Sequence, residues 1–198
     1  MTVTVPYPGF ADPVRDSQAV FRTLMDAMAR PGTLGRISPP VEAPAPLRPG
    51  CASLVLTLCD NDTPVWLDAG LAASPGVAAF IRFHTGAPIV SEPGEAAFAL
   101  VADPACLLPL DRFALGTIDY PDRSTTLIVA VETLDDGAGW RLRGPGVDGE
   151  ARFAAVPLPD DVADCRRALA TLFPRGLDMV FVAGDRVAAL PRSTRVEL

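Results

Sequence analysis

Three arginines near the end of the chain have the type and spacing to bind an anion. Arg175 lies in the segment FPRGLD, and Arg192 and Arg195 lie in PRSTR, which also supplies two hydroxyl groups. Guanidinium groups bind phosphate and carboxylate through paired hydrogen bonds. We therefore predict that these three side chains form a phosphate- or carboxylate-binding group. The alternative, that they form salt bridges to another chain, stays open.

A second polar cluster, YPDRS, occupies residues 120–124 just before a predicted strand. Asp122 and Arg123 are candidate substrate-binding residues, because α/β proteins tend to place ligands at the ends of strands. The alternative is a β-turn with Pro121 at its second position and Asp122 bonded to nearby backbone.

The one histidine, His84, is a further candidate substrate-binding residue, near the end of a predicted helix. As a base it requires a nucleophile close by in the fold, such as Ser124, Ser193 or a cysteine. A lone histidine in this position more often interacts with the carboxyl end of its helix, so we assign no catalytic residue. The segment GPGVDG at 144–149 has the glycine spacing of a dinucleotide site, but a strand-like segment follows it, which favours a turn.

Composition excludes several kinds of chemistry. All 17 basic residues are arginine, so the chain has no lysine for a Schiff base to pyridoxal phosphate or for a Walker-type phosphate loop. One histidine permits no pair of histidine metal ligands. The four cysteines are widely separated and form no metal-binding pair. We therefore predict neither a metal site nor a cofactor.

Charge and hydropathy indicate the kinds of partner. The net charge of −7 opposes binding to nucleic acid or to an anionic membrane. Residues 165–198 nevertheless carry +3, which leaves −10 for residues 1–164 and makes the C-terminal fifth the place for an anion. No apolar run approaches the roughly 20 residues needed to span a bilayer, and the N-terminus lacks a signal peptide's features, so we expect a cytoplasmic protein. The 49% hydrophobic content favours a buried oligomer interface.

The elements that must position these residues follow from hydrophobic spacing and from turn residues. Helices are predicted at 16–29 with Asp16 as N-cap, at 51–60, at 74–86, from Asp160 or Asp161 to Phe173, and as a helical turn near 104–113. Gly176 is predicted to cap the last helix, with Arg175 at its carboxyl end. Strands are predicted at 33–38, 63–69, 88–90, 96–102, 125–133, 140–143, 151–156, 178–183 and 186–190, with a turn at 135–139.

This alternation of helices and strands predicts an α/β fold. The last two strands form a hairpin across Gly184 and Asp185, which requires antiparallel neighbours and therefore a mixed sheet. We expect a single domain over residues 1–198, with residues 1–15 as an extended, proline-rich arm.

With these segments in place, the chain resembles the PhnH family, the H subunit of the bacterial carbon–phosphorus lyase system. Six segments carry the resemblance, and the last of them is long and specific. They are FRTLMDAMARPGTL at 21–34, LTLCDNDTPVWLDA at 56–69, FHTGAP at 83–88, YPDRSTTLI at 120–128, LRGPGV at 142–147 and FPRGLDMVFVAGDRVAALPRSTRV at 173–196.

The resemblance implies a three-layer α/β/α fold similar to pyridoxal phosphate-dependent transferases but without the cofactor. It implies a homodimer that assembles with the G, I and J subunits into a core complex. That complex serves phosphonate breakdown and the formation of α-D-ribose 1-methylphosphonate 5-triphosphate from ATP and methylphosphonate, and its C–P cleavage chemistry belongs to the J subunit.

We therefore expect an assembly or anion-binding subunit with no independent activity. The alternative is a subunit or free-standing enzyme with its own small-molecule site for a phosphorylated ribose or nucleotide.

Overall fold

The computed structural model describes residues 7–38, 40–107 and 109–197. The described residues form five α-helices and ten strands. The helices are α1 Pro13–Ala29, α2 Pro49–Leu58, α3 Ala69–Ala72, α4 Pro75–Thr85 and α5 Val162–Ala170. The strands are β1 Gly35–Arg36, β2 Val65–Leu67, β3 Ile89–Val90, β4 Phe98–Val101, β5 Thr126–Ala130, β6 Thr133–Arg143, β7 Ala151–Val156, β8 Asp178–Ala183, β9 Arg186–Leu190 and β10 Arg195–Glu197.

The large sheet contains seven strands in the order β1-β9-β8-β5-β4-β2-β3. The neighbours from β8 to β3 run parallel, whereas β9 pairs antiparallel with both β8 and β1. The predicted α/β class and mixed sheet are confirmed. The hairpin of β8 and β9 has the predicted bounds, because Gly184 adopts the positive φ of 61° that the tight connection requires.

Each face of the large sheet packs against a different layer. Along β5, Ile128 and Ala130 contact a core that also contains buried residues of α1 to α4. Leu127 and Val129 point the other way, into a core shared with α5 and with a small sheet of order β10-β6-β7. The second outer layer thus combines one helix with a three-stranded sheet, whereas the α/β/α arrangement implied by the family resemblance has helices alone.

The first helix begins earlier than predicted. Asp12 rather than Asp16 is the N-cap of α1, and its carboxylate accepts a hydrogen bond from the Arg15 backbone N–H at 3.1 Å. Pro13 starts the helix because its fixed φ suits the first helical position, where no N–H is needed. The predicted extended arm therefore ends at Asp12, and its residues 1–6 lie outside the described part of the chain.

The last helix is shorter than predicted, with Thr171 as its C-cap. Pro174 follows closely, and a residue before proline is disfavoured in the helical region, so a helix through Phe173 is wrong. Gly176 consequently does not cap the helix, and Arg175 lies in a turn beyond it. By contrast, α4 fills the predicted range 74–86, with Ser74 as its N-cap and Gly86 as its C-cap in the left-handed conformation with φ 73°.

Two predictions for the small sheet are corrected. The predicted turn at 135–139 is instead a bulge within the single strand β6, because Asp135 pairs with Ala154 and Trp140 with the adjacent Phe153. Arg195 begins a further strand, β10, which was not among the predicted strands and which pairs with β6. The predicted helical turn near 104–113 consists of two short 3-10 turns, Pro104–Cys106 and Leu110–Arg112. The remaining strands lie within their predicted ranges.

Candidate anion-binding site

Arg192 lies at the edge of the large sheet where β8 begins. It follows the end of β9, which runs antiparallel to β8, so the chain returns to the position of Asp178. Its Nε and Nη2 atoms donate to the two carboxylate oxygens of Asp178 at 3.2 and 2.5 Å, and its backbone N–H donates to the same carboxylate at 2.7 Å. Its Nη1 atom donates to the carbonyl of Pro121. The paired hydrogen bonds of Arg192 are thus made to an acid of its own chain.

A buried arginine, Arg166 of α5, stabilises the same region. Only 6% exposed, it donates to the carbonyl oxygens of Leu177 at 3.1 Å, Pro191 at 2.5 Å and Thr194 at 3.5 Å. Burial lowers the pKa of Arg166 to about 10, and the nearby charge of Asp178 opposes that change. Arg166 therefore stays charged at neutral pH and connects α5 to the residue before β8 and to the segment between β9 and β10.

The YPDRS segment forms the β-turn that was the alternative interpretation. The Arg123 N–H donates to the Tyr120 carbonyl at 3.2 Å, which places Pro121 second in the turn. The Arg123 guanidinium lies 4.2 Å from the centre of the Tyr120 ring, and the side chains of Asp122 and Arg123 are exposed. This turn precedes β5 and so lies at the amino ends of the parallel strands, opposite the edge where such sheets usually bind ligands.

His84 lies apart from these residues, in the helical layer on the other side of the large sheet. Its Nε2 atom is 3.2 Å from the carbonyl oxygen of Tyr7, and its ring packs 4.6 Å from that of Phe80. Phe80 belongs to the core that α1 to α4 share with the large sheet. Since Nε2 contacts a backbone carbonyl, His84 stabilises the segment that leads into α1. The structure does not bring it together with the predicted arginines.

A cavity of about 340 Å³ lies beside the start of β10. Three arginines line it, namely Arg143, Arg192 and Arg195, together with the hydroxyl-bearing Ser193. The other lining residues are Gly144, Pro145, Ala170 and Phe173. The structure therefore brings together two of the three predicted anion-binding arginines. Arg175 is half-buried and is not among the lining residues.

The outer face of the small sheet carries most of the charge near this cavity. Leu142, Phe153 and Val196 point inward and are buried. Side chains point alternately to the two faces of a strand, so the charged residues point outward. These outward residues are Arg141 and Arg143 of β6, Arg152 of β7, and Arg195 and Glu197 of β10, with Glu150 next to β7. Over the paired segments 141–143, 150–152 and 195–197, four arginines against two glutamates make this end of the face positive on an acidic protein, whereas Asp135 lies further along β6.

The carboxyl ends of the parallel strands contain a different arrangement. Asp68, just after β2, is fully buried, and its carboxylate accepts backbone N–H groups of Leu71 at 2.8 Å, Ala102 at 2.7 Å and Asp103 at 3.1 Å. It caps α3 and joins the end of β2 to the end of β4. Three backbone donors satisfy the Asp68 carboxylate, which therefore has a structural role here.

All four cysteines have free thiols. Burial raises the pKa of both Cys51 and Cys59 to about 12, so these thiols remain protonated and unreactive near neutral pH. Within the described ranges, no group of three or more His, Cys, Asp or Glu side chains is placed to hold a metal ion. No helix in that part of the chain is both long and apolar enough to cross a membrane.

The chain matches a known protein family over nearly all of the residues described above. Residues 8–197 match the family model described as "Bacterial phosphonate metabolism protein (PhnH)". The chain belongs to the PhnH family. The matched range includes every residue that lines the cavity, the buried Arg166 and the largely buried Asp178.

Two curated relatives extend the PhnH assignment. Over 188 residues the chain is 47% identical to the "Alpha-D-ribose 1-methylphosphonate 5-triphosphate synthase subunit PhnH" of Rhizobium meliloti (strain 1021), covering 95% of this chain and 94% of that protein. Over 185 residues it is 29% identical to the "Putative C-P lyase subunit protein HtxG" of Stutzerimonas stutzeri, covering 91% and 86% of the two chains.

Two arginines of this PhnH-family chain were not predicted to have a role. Arg143 stands beside the glycine-rich segment 144–149, and only the pairing of β6 with β10 places it next to Arg195. Arg166 is one of two adjacent arginines in α5. The helical spacing of the buried Val162 and Ala163 is a signal that Arg166 rather than Arg167 faces the core.

Proposed function

We propose that this chain is the H subunit of a complex that forms α-D-ribose 1-methylphosphonate 5-triphosphate from ATP and methylphosphonate during phosphonate breakdown. The observation that carries the proposal is the 47% identity to a subunit of that name over 95% of this chain. Because the similarity spans nearly the full length of both chains, it supports an equivalent role for the whole subunit rather than for one shared segment.

Within the complex, the subunit acts in assembly and in binding an anion rather than as an independent catalyst. The partners we propose are a second copy of the chain and the G, I and J subunits, in the cytoplasm. Arg166 and Asp178 support a structural role, since their hydrogen bonds are made within the chain. Exposed apolar residues such as Phe21 and Met25 of α1 are available for contacts with other subunits.

We also propose that residues 1–198 form one domain whose fold is similar to that of pyridoxal phosphate-dependent transferases. The mixed seven-stranded sheet with layers on both faces supports this relationship. The chain lacks lysine, so it cannot attach pyridoxal phosphate through the Schiff base that such enzymes use. A transferase-like scaffold in this chain would therefore operate without the cofactor.

Genetic complementation and co-purification test the proposal. A bacterium lacking its own H subunit gene should regain growth on methylphosphonate as sole phosphorus source when this chain is expressed with its neighbouring subunits. A tagged chain should also co-purify with those subunits in a stoichiometric complex. Failure of both results, with the chain folded and expressed, would contradict the assignment.

The alternative is a subunit or free-standing enzyme with its own site for a phosphorylated ribose or nucleotide. The cavity lined by Arg143, Arg192 and Arg195 favours it over a purely structural role. Purified chain incubated alone with ATP and methylphosphonate distinguishes the two. Turnover without other subunits would establish an independent enzyme, whereas turnover only in the reconstituted complex supports the subunit.

A further inference from the structure

The cavity beside β10 has an excess of positive charge. Asp178 neutralises Arg192 through two charge-assisted hydrogen bonds, and Glu150 pairs with Arg143 at 3.1 Å. Arg195 is exposed and forms no ion pair with any residue in the described ranges. The lining of the cavity therefore carries one uncompensated guanidinium.

The pairing of β10 with β6 places two of these arginines together. Arg195 lies directly opposite Arg143 in the antiparallel ladder, and both side chains point to the outer face. Opposed residues in such a pair have Cβ atoms about 5 Å apart, and two like charges at that spacing are unfavourable. An oxyanion between the two guanidinium groups would convert this repulsion into attraction, and their planar forks suit bidentate binding of a tetrahedral group.

The loop at the end of β6 keeps this part of the cavity narrow. Gly144 has φ +137°, and a Cβ atom there would lie 2.9 Å from the carbonyl oxygen of Ser193. A residue with a side chain would push the two segments apart. The close approach keeps the Ser193 hydroxyl in the lining next to Arg143 and Arg195, where it supplies one further hydrogen-bond donor.

Part of the cavity lining is apolar. It consists of Ala170 at the end of α5, Pro145 and Phe173, and Phe173 leaves 63% of its surface exposed. Covering an aromatic ring of this size is favourable by about 25 cal/mol per Å² of apolar area removed from water. A ligand with an anionic group and an attached apolar or ring portion would contact both the charged and the apolar lining residues.

We propose that this cavity binds a small phosphate ester or phosphonate, with Arg143 and Arg195 holding the phosphorus oxyanion and Phe173 covering the attached group. The inference deepens the anion-binding part of the proposed function and rests on it. It excludes Arg123, Arg175, Asp122 and His84 from the site, because none of them lines the cavity.

Calorimetric titration of the isolated chain tests this inference without the other subunits. The probes are phenyl phosphate, phenylphosphonate, inorganic phosphate and, as a neutral control, benzyl alcohol. We expect saturable binding of phenyl phosphate or phenylphosphonate, tighter than that of inorganic phosphate, and none of benzyl alcohol. A preference between the first two would identify the ester or the phosphonate as the class recognised.

Three variants locate the binding. Arg195→Gln should weaken phenyl phosphate and inorganic phosphate by about tenfold, the loss expected for a paired charge-assisted hydrogen bond. Phe173→Ser should weaken phenyl phosphate and leave inorganic phosphate unchanged. Arg152→Gln is the matched control, because it removes the same charge from the same face at a residue that does not line the cavity.

Several results would overturn the inference. One is the absence of saturable binding at millimolar probe, and another is an equal effect of Arg152→Gln and Arg195→Gln, which would indicate a diffuse field. A loss of stability in Arg195→Gln in the absence of ligand would instead give Arg195 a structural role in the fold. If Arg195→Gln reduced only co-purification with partner subunits, this face would be a protein interface. Complementation can succeed in each of these cases, so the proposed function is tested separately.

Discussion

Two arginines of the same C-terminal region, Arg166 and Arg195, have opposite surroundings. Arg166 is 6% exposed beside the large sheet, and three carbonyl oxygens accept its hydrogen bonds. Arg195 is exposed on the outer face of the small sheet and stands opposite another arginine. The charge of the first is enclosed and satisfied by the fold, whereas the second has donors available to a ligand. One residue type therefore stabilises the fold in one region and, in our proposal, binds a ligand in the other.

The charged groups near these two arginines also differ in how they are paired. Around the large sheet, Asp178 is held by Arg192, and the Asp68 carboxylate by backbone N–H groups. Burying a polar group costs free energy unless the group is hydrogen-bonded or ion-paired, so an unpaired charge in this region would lower stability. On the small sheet, water solvates the outward side chains, and unbalanced charge is retained at little cost. Changes to the first region should therefore alter stability, and changes to the second should alter binding.

Among the substitutions, the largest loss of stability at neutral pH should come from Arg166→Met, which keeps most of the side-chain volume but removes all three hydrogen bonds. Leaving two buried and one partly buried carbonyl oxygen without these donors should lower the free energy of unfolding by about 3 kcal/mol or more. Urea denaturation followed by circular dichroism measures this change. Arg167→Met is the control, since its side chain is 47% exposed and pairs only with Asp164 at the surface, and it should cost under about 0.5 kcal/mol. Equal losses in the two variants would contradict the assigned role of Arg166.

Asp178→Asn should lower the free energy of unfolding by about 2 kcal/mol, because it removes the charge that pairs with the largely buried Arg192. It should also release the Arg192 guanidinium toward the cavity and tighten phenyl phosphate binding several-fold. Denaturation and calorimetry measure the two effects. In the control Asp185→Asn, the acid pairs with a guanidinium that is 80% exposed, so both quantities should stay near their original values. Weaker phenyl phosphate binding in Asp178→Asn would show that removing the acid partner of Arg192 does not make its guanidinium available to a ligand.

The buried thiols predict a loss of stability at alkaline pH. An unfolded cysteine loses its proton near pH 9, whereas Cys51 and Cys59 keep theirs to about pH 12 in the folded chain. The unfolded state therefore binds fewer protons over this range, and the free energy of unfolding should fall by about 1.4 kcal/mol per pH unit for each thiol.

Denaturation at successive pH values between 9 and 12 measures this slope. Cys51→Ala should make the fall less steep, because the titrating thiol is absent from both states. The matched control is Cys165→Ala, in which a half-exposed thiol is removed, and most of the slope should remain. An unchanged slope in Cys51→Ala would contradict the burial of a protonated thiol.

The smallest effect on the free energy of unfolding should be a gain in stability. Arg195→Glu places an opposite charge across from Arg143 and should raise the free energy of unfolding by a few tenths of a kcal/mol. The same change should abolish phenyl phosphate binding, so stability and binding would change in opposite directions. Arg22→Glu makes an equal change of charge on an exposed turn of α1, with no arginine on an opposing strand, and should give no such gain. A loss of stability in Arg195→Glu would show that the two regions do not differ in the way proposed.

Much of the fold could be predicted because it depends on local patterns. The hairpin at 178–190 follows from two apolar runs separated by Gly184 and Asp185, and α4 from Pro75 and Gly86 at its ends. Errors occurred where the local signal was shared between two positions. Asp12 and Asp16 are both suitable N-caps, and only Pro13 favours the first. The bulge in β6 has the composition of a turn, and pairing with β7 rather than local preference keeps it within a strand.

The site was predictable in part for the same reason. PRSTR at 191–195 indicated anion binding from its residue types, and both of its arginines line the cavity. Arg143 and Phe173 also line the cavity, but their positions there depend on contacts between segments that are far apart in the chain. His84 and Arg175 have suitable chemistry, but no local signal shows that they lie outside the cavity.

The sequence by itself determined what this PhnH-family protein cannot do and which elements it forms. A chain without lysine cannot attach pyridoxal phosphate, and apolar periodicity specifies a helix or a strand because side chains repeat every 3.6 or every 2 residues. Only the tertiary structure decided which arginines are enclosed and which are available. That outcome depends on strand register and on long-range partners, since Asp178 reaches Arg192 across a hairpin and Arg195 meets Arg143 across two strands. The energy of a charge depends on its surroundings, and only the fold supplies them.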